Sequence, residues 1–347
     1  MAATEVPTID LTDWWEGDEA ARKAVAAQVD RVCRQVGFFK IAAHRVDPDL
    51  IARMEAITAR FFDQSVEKKL SYVSPAPEVN RGYAEKGSEA LSYSVGIESP
   101  PDLFEAFNVG VQNHTIDTTM LEPHHAVLYH ENIWPDSPSQ MKAIWQEYLL
   151  AMTEISQEML RIMAVSLDLD PEFFAERAHQ APDVFRALNY VREQGAPDPL
   201  PGQMRLGAHS DYGMCTILLA DPVPGLQILN SDDEWIDVVA TPGTFLVNIG
   251  DMLAAWTNDR WRSTVHRVIP PDASQGRAQR RSYAFFHEAD TTAVIEPLAS
   301  CIDDDNPVRY ETMTAGDHLY GKIVSPRSMK KTESALTTAD RGDAIRS

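Results

Sequence analysis

Two histidines and one aspartate in the second half of the chain have the types and spacing of a metal site. His209 and Asp211 lie two residues apart, and His266 follows after 54 intervening residues. On an extended strand, residues i and i+2 face the same side, so the imidazole and the carboxylate can reach one ion. Two imidazoles and one carboxylate on one face of an octahedron leave three positions open, as iron(II) oxygen chemistry requires. We therefore predict a mononuclear iron site at these residues.

A second group of residues has the chemistry of a carboxylate-binding site. In the run Arg280-Arg281-Ser282, the first and third residues share one face of a predicted strand, whereas Arg281 faces the other way. A guanidinium offers a planar fork of donors and a hydroxyl adds one more, which together suit a carboxylate. Because residues 283–286 continue as an apolar strand, we predict that Arg280 binds a ligand and that Arg281 is an ordinary surface charge.

The motifs around these residues are similar to those of one enzyme family. From 185 to 287, their order and spacing resemble the isopenicillin N synthase-like family of iron(II)/2-oxoglutarate-dependent dioxygenases, and a thinner resemblance covers the N-terminal part. The C-terminal motifs are GLQ (225–227), WI (235–236), PG (242–243), VNIGD (247–251), TN (257–258), HRV (266–268), RRS (280–282) and FF (285–286). The N-terminal motifs are VPTID (6–10), VGFF (36–39), RGY (81–83), PDLFE (101–105) and NIWP (132–135).

The resemblance implies a function and a role for each site residue. It assigns Fe(II) to His209, Asp211 and His266, and it assigns the distal carboxylate of the cosubstrate 2-oxoglutarate to Arg280 and Ser282. The implied reaction consumes O2 and oxidises a small organic molecule, with hydroxylation the expected outcome and with release of succinate and CO2. Desaturation or ring closure is also known in the family.

The strand that precedes the metal motif departs from the family pattern. Many members carry a tyrosine two residues beyond the asparagine that matches Asn189, and this tyrosine hydrogen-bonds the cosubstrate. Here that place is Val191. On a regular strand Tyr190 would face away from Asn189. We therefore predict that Asn189 contacts the cosubstrate and that Tyr190 points to the opposite face.

Other residues that could ligate a metal are interpreted as structural. His287 competes with the second imidazole of the metal site, but it lacks the His-Arg-Val context of the family's distal ligand. Asp251 is predicted to cap the turn before residue 252. His124, His125 and His130 lie in a predicted loop, where solvated or capping roles are commoner than ligation.

Composition agrees with an enzyme of the cytoplasm. Lys and Arg number 31 against 52 Asp and Glu, so the net charge of −21 disfavours binding to nucleic acid or to anionic membrane surfaces. The N-terminus lacks the features of a signal peptide, and the sequence has no apolar run of transmembrane length. The three cysteines show no zinc-type or redox spacing, which favours a reducing compartment.

Periodicity predicts a mainly β fold with flanking helices. Apolar residues at helical spacing indicate helices at 19–36, 48–62, 137–167 and 314–323. Short β runs at 37–41, 216–219, 226–229, 235–239, 244–249, 265–269 and 282–287 are separated by turn residues. We predict a double-stranded β-helix (jelly roll) core buttressed by N-terminal helices, with a frayed tail from Lys330. The predicted divisions are an N-terminal region (1–135), a long connecting helix (136–180), the core (181–290) and a C-terminal extension (291–347).

Three alternatives remain open at the level of sequence. The first is an oxygen-dependent oxidase or cyclase of the same fold that does not use 2-oxoglutarate. The others are a zinc or other divalent-metal hydrolase and a non-catalytic metal-binding jelly-roll protein. The motifs do not specify the primary substrate. Five residues of the N-terminal half are candidates to contact it: Arg81, Tyr83, Tyr93, Phe104 and Phe107.

Overall fold

The computed structural model describes residues 5–112, 114–191, 198–271 and 279–330. Its α-helices are α1 (Thr12–Glu16), α2 (Glu19–Gln35), α3 (Pro48–Phe62), α4 (Val66–Leu70), α5 (Pro123–Ala126), α6 (Met141–Ser166), α7 (Glu172–Ala175), α8 (Asp251–Trp256) and α9 (Ala315–Ser328). The strands are β1 (Thr8–Asp10), β2 (Phe38–Ala42), β3 (Gly82–Ala84), β4 (Glu105–Gly110), β5 (Val184–Tyr190), β6 (Leu206–His209), β7 (Cys215–Ala220), β8 (Leu226–Leu229), β9 (Trp235–Asp237), β10 (Phe245–Ile249), β11 (His266–Val268), β12 (Arg280–His287), β13 (Val294–Ile295) and β14 (Met313–Thr314). A short 3-10 helix covers Leu91–Val95.

Two facing sheets form the core. The main sheet has the strand order β1-β2-β10-β7-β12-β5-β4-β3, and the minor sheet has the order β6-β11-β8-β9. Pairing within them is antiparallel except between β1 and β2. Residues of both sheets line one cavity between them. This is the predicted jelly roll, and the sequence prediction of the fold class is confirmed.

The main sheet is buried on both faces because helices cover the side away from the cavity. All seven residues of β5 are buried. Its alternate residues face the helices, where the Phe185 ring lies 4.7 Å from the Trp145 ring and 5.2 Å from the Tyr148 ring of α6. The remaining residues of β5 face the cavity, including Arg186 and Tyr190. The long helix therefore supports the rear of the sheet whose front forms the site.

The predicted helices agree with the observed ones, with two differences at their ends. Helix α3 has the predicted bounds, whereas α6 begins four residues later than predicted, after a turn in which the Met141 N–H donates to the Pro138 carbonyl. Helix α9 runs five residues beyond the predicted end and includes Pro326 in its last turn, where proline removes a single helical donor. Of the tail predicted to be frayed, residues 331–347 lie outside the described ranges. Among the described helices, none has the length and apolar character needed to cross a membrane.

Gly37 links the N-terminal region to the segment that leads into β11. Its φ is +70°, and a Cβ added there would collide with the Arg262 carbonyl. The same turn is held by two hydrogen bonds, from the Thr264 hydroxyl to the Val36 carbonyl (2.6 Å) and from the Ile249 N–H to the Gly37 carbonyl (3.0 Å). The turn thereby ties α2, β10 and the start of β11 together.

Gly37→Ala is expected to destabilise the fold strongly, as measured by urea denaturation. The left-handed conformation alone costs about 1–2 kcal/mol for a residue with a Cβ, and the collision should raise the total loss above about 3 kcal/mol. Gly96→Ala is the matched control, because Gly96 has a φ of +74° with nothing within 4 Å of an added Cβ. Equal losses for the two variants would show that the collision is relieved without cost.

Candidate metal centre and active site

The structure brings the three predicted metal ligands together at the edge of the minor sheet. His209 ends β6 and is the register partner of His266, which begins β11. Asp211 follows β6 by two residues. Its Oδ1 lies 3.6 Å from His209 Nε2 and 3.8 Å from His266 Nε2. All three side chains are buried, and their ligand atoms lie within 4.8 Å of one another.

Hydrogen bonds orient both imidazoles with Nε2 toward the centre. His209 Nδ1 lies 2.8 Å from the Gly207 carbonyl, and His266 Nδ1 lies 3.2 Å from the Thr264 carbonyl. A carbonyl can only accept, so each Nδ1 carries the proton and each Nε2 presents a lone pair. Burial lowers the pKa of the His209 imidazole to about 3. This imidazole is therefore neutral at ordinary pH, as ligation requires.

The carboxylate ligand is anchored by the main sheet. Asp211 Oδ2 accepts hydrogen bonds from the Thr216 hydroxyl of β7 and the Asn248 amide of β10, each 2.6 Å long. Burial opposes ionisation of Asp211, yet the pKa of the carboxyl lies below its usual range, and these two hydrogen bonds contribute to that shift because they favour the carboxylate. Asn248 belongs to the VNIGD motif, whereas Thr216 lies outside the sequence motifs. Both keep Oδ1 free to face the imidazoles.

The donor set fits a divalent metal ion. Nε2 atoms 3.6 and 3.8 Å from a carboxylate oxygen are too far apart for hydrogen bonds and leave room for an ion between them. Two neutral imidazoles and one carboxylate are the ligands of the facial triad that binds non-haem iron(II).

A second cluster of similar composition has a different geometry. His124 Nε2 and His125 Nε2 lie 2.7 and 3.1 Å from Asp317 Oδ1, which are direct hydrogen-bond distances. The cluster joins α5 to the start of α9. The prediction of solvated or capping histidines is thus wrong for His125, which is buried, whereas His130 is exposed as predicted.

The two other residues considered as ligands serve the core. His287 is fully buried, and its Nδ1 lies 2.9 Å from Asp183 Oδ2, on the face of β12 that packs against α6. Asp251 begins α8 and does not cap it through its side chain. Instead its carboxylate accepts from the Ser263 hydroxyl at 2.7 Å and pairs with Lys322 of α9 at 2.9 Å. The predicted capping role of Asp251 is therefore wrong, while neither residue belongs to the metal cluster.

Every second residue along β12 and its continuation faces the cavity. The residues that face it are Arg280, Ser282, Ala284, Phe286 and Glu288, and about 1150 Å³ of space, its open mouth included, lies in front of them and the facing residues. Arg281, Tyr283, Phe285 and His287 face the other way. As predicted, Arg280 and Ser282 share one face and Arg281 does not.

Arg280 is a buried cation at the inner end of the cavity. Its Nη1 donates to the Ser282 hydroxyl at 2.9 Å, and its Cζ lies 5.2 Å from the centre of the Tyr190 ring. Its Nε has no hydrogen-bond partner among the described residues. Burial lowers the pKa of Arg205, and the positive charge of Arg280 lowers it further. Two guanidinium groups therefore lie near each other here. This end of the cavity is suited to an anion.

The register of β5 against β12 places Asn189 and Tyr190 on the opposite faces from those predicted. Tyr190 pairs with Arg280 and Asn189 pairs with Arg281. Tyr190 consequently lines the cavity, with its hydroxyl 3.5 Å from Ser282 Oγ. The Asn189 amide instead donates to Glu105 on the opposite face, at 2.8 Å. Asn189 therefore does not reach the cavity, and Tyr190 does.

The outer end of the cavity is lined by charged residues that the sequence did not single out. Glu89 is buried between Arg186 (2.9 Å) and Arg327 (3.4 Å), and Arg327 also donates to Asn80 at 2.6 Å. Glu288 also lines the cavity, on the continuation of β12 beyond Phe286. Burial, with the charges of Asp183 and Asp211, raises the pKa of Glu288 well above its usual range.

Of the five predicted substrate contacts, only Arg81 lines this cavity. Its guanidinium is held by the carbonyls of residues 80, 128 and 130 at 2.8–3.0 Å. Tyr83 donates to Glu105 behind the sheet, and Phe107 packs against Phe61 in the core. Phe104 stacks beneath the Arg186 guanidinium. Tyr93 is likewise absent from the lining, so four of the five candidates lie away from this cavity.

Helix α9 forms the remaining wall of the outer end. Leu319, Ile323, Pro326 and Arg327 line the cavity from this helix. The C-terminal extension was given no role in the sequence analysis, because its apolar residues do not resemble a site motif. Its longer course, through Pro326, is what brings Arg327 to Glu89.

Comparison with known proteins gives the same assignment as the geometry. Residues 6–137 match the family model of the non-haem dioxygenase in morphine synthesis N-terminal region, and residues 182–289 match that of the 2OG-Fe(II) oxygenase superfamily. The chain is 33% identical over 298 residues to validamycin A dioxygenase of Streptomyces hygroscopicus subsp. limoneus, covering 85% of this chain and 80% of that one.

Two further relatives agree. A homoarginine-6-hydroxylase of Arabidopsis thaliana is 31% identical over 306 residues, covering 86% of this chain and 88% of that one. A full-length Neurospora crassa protein, whose crystal structure is a complex with alpha-KG and thymine, superposes with a TM-score of 0.79 at 28% identity, covering 92% of this chain and 96% of that one. The chain therefore belongs to the 2OG-Fe(II) oxygenase superfamily and is a 2-oxoglutarate-dependent dioxygenase that acts on a small molecule.

Proposed function

We propose that this enzyme hydroxylates a C–H bond of a small polar molecule, with iron(II) held by His209, Asp211 and His266. The observation that carries the proposal is the arrangement of one cavity. A buried arginine whose Nε has no partner among the described residues lies at one end, the three ligands lie along the wall, and charged residues line the cavity beyond them. When bound together, iron(II) and 2-oxoglutarate would activate O2, which is the oxidant: one oxygen atom would go to the substrate and the other to succinate, with release of CO2.

The residues of the inner end bind and orient the cosubstrate in this proposal. Arg280 and Ser282 receive the distal carboxylate of 2-oxoglutarate through charge-assisted hydrogen bonds, and the Tyr190 hydroxyl adds a third donor. A dianion in this place would also relieve the repulsion between Arg280 and Arg205. Leu206, Leu218 and Val268, which line the cavity between the carboxylate pocket and the ligands, exclude water.

The four-part division of the chain also has a functional meaning in this proposal. The core (181–290) supplies the ligands and the cosubstrate pocket. The N-terminal region (1–135) and the C-terminal extension (291–347) close the substrate end through Glu89 and Arg327, while residues 136–180 support the sheet from behind. We further propose that the enzyme acts in the cytoplasm, since its three cysteines are free and buried, and that the net charge of −21 keeps it from nucleic acids and membrane surfaces.

Release of succinate that depends on an added small molecule is the measurement that tests the proposed reaction. Purified protein with iron(II), 2-oxoglutarate and O2 is screened against polar small molecules, beginning with those named for its relatives: validamycin A, homoarginine and thymine. Product mass should increase by one oxygen atom. Full turnover without any ketoacid would contradict the proposal.

Removal of any one ligand is expected to abolish iron binding. His209→Ala, Asp211→Ala and His266→Ala should each leave less than about 1% of the activity, with near-native circular dichroism, because two protein ligands hold the ion poorly. His287→Ala is the control. It should lower stability, since it leaves Asp183 unpaired in the core, yet it should retain iron measured by atomic absorption. Loss of iron in His287→Ala alone would refute the ligand assignment.

Arg280→Gln is expected to raise the Michaelis constant for 2-oxoglutarate by about tenfold or more, because charge-assisted hydrogen bonds are worth about 1.5–3 kcal/mol each. Arg281→Gln is its matched control on the opposite strand face and should change this constant less than about twofold. Initial rates of succinate formation at varied 2-oxoglutarate give both values. Equal effects would show that the cosubstrate does not lie against Arg280.

Tyr190→Phe should raise the same constant by a few-fold, since it removes one neutral donor worth about 1 kcal/mol. Asn189→Ala should instead lower the melting temperature, because it leaves the Glu105 carboxylate without its amide partner, while the constant for 2-oxoglutarate stays near that of the wild type. The opposite pattern would favour the original sequence interpretation of these two residues.

A further inference from the structure

Glu288 is a buried acid at the outer end of the cavity. It directly follows β12, it is 6% exposed, and its Oε2 has no hydrogen-bond partner among the described residues. The charges that act on it most are those of Asp183 and Asp211, which are also acidic. A buried carboxyl group without a donor is costly, so its presence calls for an explanation.

The strand places Glu288 on the far side of the metal ligands from Arg280. Phe286 of β12 pairs with Thr216, the residue whose hydroxyl binds Asp211. Glu288 lies two residues further on, about 6–7 Å along the strand. Its carboxyl lies against the backbone of Gly213, where an added Cβ would collide with it. It is not part of the cluster of ligand atoms at His209, Asp211 and His266. Glu288 therefore lines the part of the cavity that lies beyond the metal ligands from Arg280.

The other acid of this end already has its counterions. Glu89 is shared between Arg186 and Arg327, so these three residues carry two positive charges and one negative charge. Arg81 is bound by three carbonyl oxygens. Among the described residues of this part of the lining, Glu288 is therefore the acid that lacks both a cation and a hydrogen-bond donor. The excess positive charge belongs to the group of Glu89, Arg186 and Arg327.

We propose that Glu288 binds a cationic group of the primary substrate, a guanidinium or a primary ammonium, and so selects small organic cations. This inference rests on the proposed function and specifies its substrate class. A guanidinium would give Glu288 two parallel charge-assisted hydrogen bonds. A carboxylate at the other end of the same molecule would face the excess positive charge of Arg186 and Arg327. The C–H bond between the two ends would then lie beside the metal ligands.

Three nearly isosteric amino acids test the proposal with the full-length protein. Homoarginine carries a guanidinium, homocitrulline an uncharged urea and 2-aminosuberate a carboxylate at the same distance from the α-carbon. The pairs arginine and citrulline, and lysine and norleucine, extend the comparison to shorter chains. Two readings are taken for each compound. The first is the rise in melting temperature of the protein, and the second is stimulated succinate formation with iron(II) and 2-oxoglutarate.

The cationic member of a pair should half-saturate the wild type at a concentration at least tenfold below that of its uncharged partner. Glu288→Gln should remove this preference. Glu296→Gln, which makes the same change of charge at an exposed residue, should keep it. A wild type in which no cation exceeds its uncharged partner in either reading would overturn the proposal, as would a Glu288→Gln variant that retains the preference.

A measurement without any ligand separates binding from a structural role. If Glu288 is reserved for a substrate, Glu288→Gln should raise the melting temperature of the free protein by about 1–3 °C, because it removes a buried acid that no group compensates. A fall in the melting temperature of similar size would show that the carboxyl stabilises the fold, and the proposal would be wrong. Cation-selective thermal shifts without any succinate formation would instead contradict the proposed reaction and leave the role of Glu288 standing.

Discussion

The site depends on one contact between the two sheets, the hydrogen bonds that hold Asp211. Its backbone continues from the minor sheet, where His209 pairs with His266. Its carboxylate reaches into the main sheet and is fixed there by Thr216 and Asn248. A ligand set that is carried by one sheet and fixed by the other keeps its geometry only if the sheets keep their separation. The layer of α2, α3 and α6 behind the main sheet therefore contributes to the metal site without touching it.

The same sheets give the cavity its polarity by simple alternation. Every second residue of β12 faces inward, so one strand presents a cation at residue 280, small or apolar groups near the ligands, and an acid at residue 288. Pairing with β5 places Tyr190 beside Arg280 and Arg186 beside Ala284, in the middle of the strand. In our proposals Arg280 orients the cosubstrate and Glu288 orients the primary substrate before any chemistry occurs, and orientation is a large part of what an enzyme contributes to a rate.

The sequence predicted the parts of the site that depend on a two-residue repeat within one strand. His209 with Asp211 and Arg280 with Ser282 are such pairs, and the family motifs supplied His266. The prediction was wrong for Asn189 and Tyr190 because the sequence of a single strand does not specify which of its two faces is turned toward the cavity. The inward face of β5 is set by the pairing of Tyr190 with Arg280, a contact between residues 90 positions apart. Glu288 continues the same repeat from Arg280 and could have been found by extending it. Arg327 could not, since its place depends on the packing of α9 against a distant part of the chain.

Helix α9 lines the cavity but is synthesised last, and this affects the order in which the parts of the site can form. The proposed ligands, the proposed cosubstrate pocket and Glu288 all lie before residue 290, whereas Leu319, Ile323 and Arg327 complete the lining of the cavity. A growing chain can therefore form the jelly roll, and with it the iron site, while the outer end is still open to water. Glu89 and Arg186 must wait for their third partner until residue 327 has been synthesised and α9 has docked. During synthesis, the capacity to bind metal would precede the capacity to enclose a substrate.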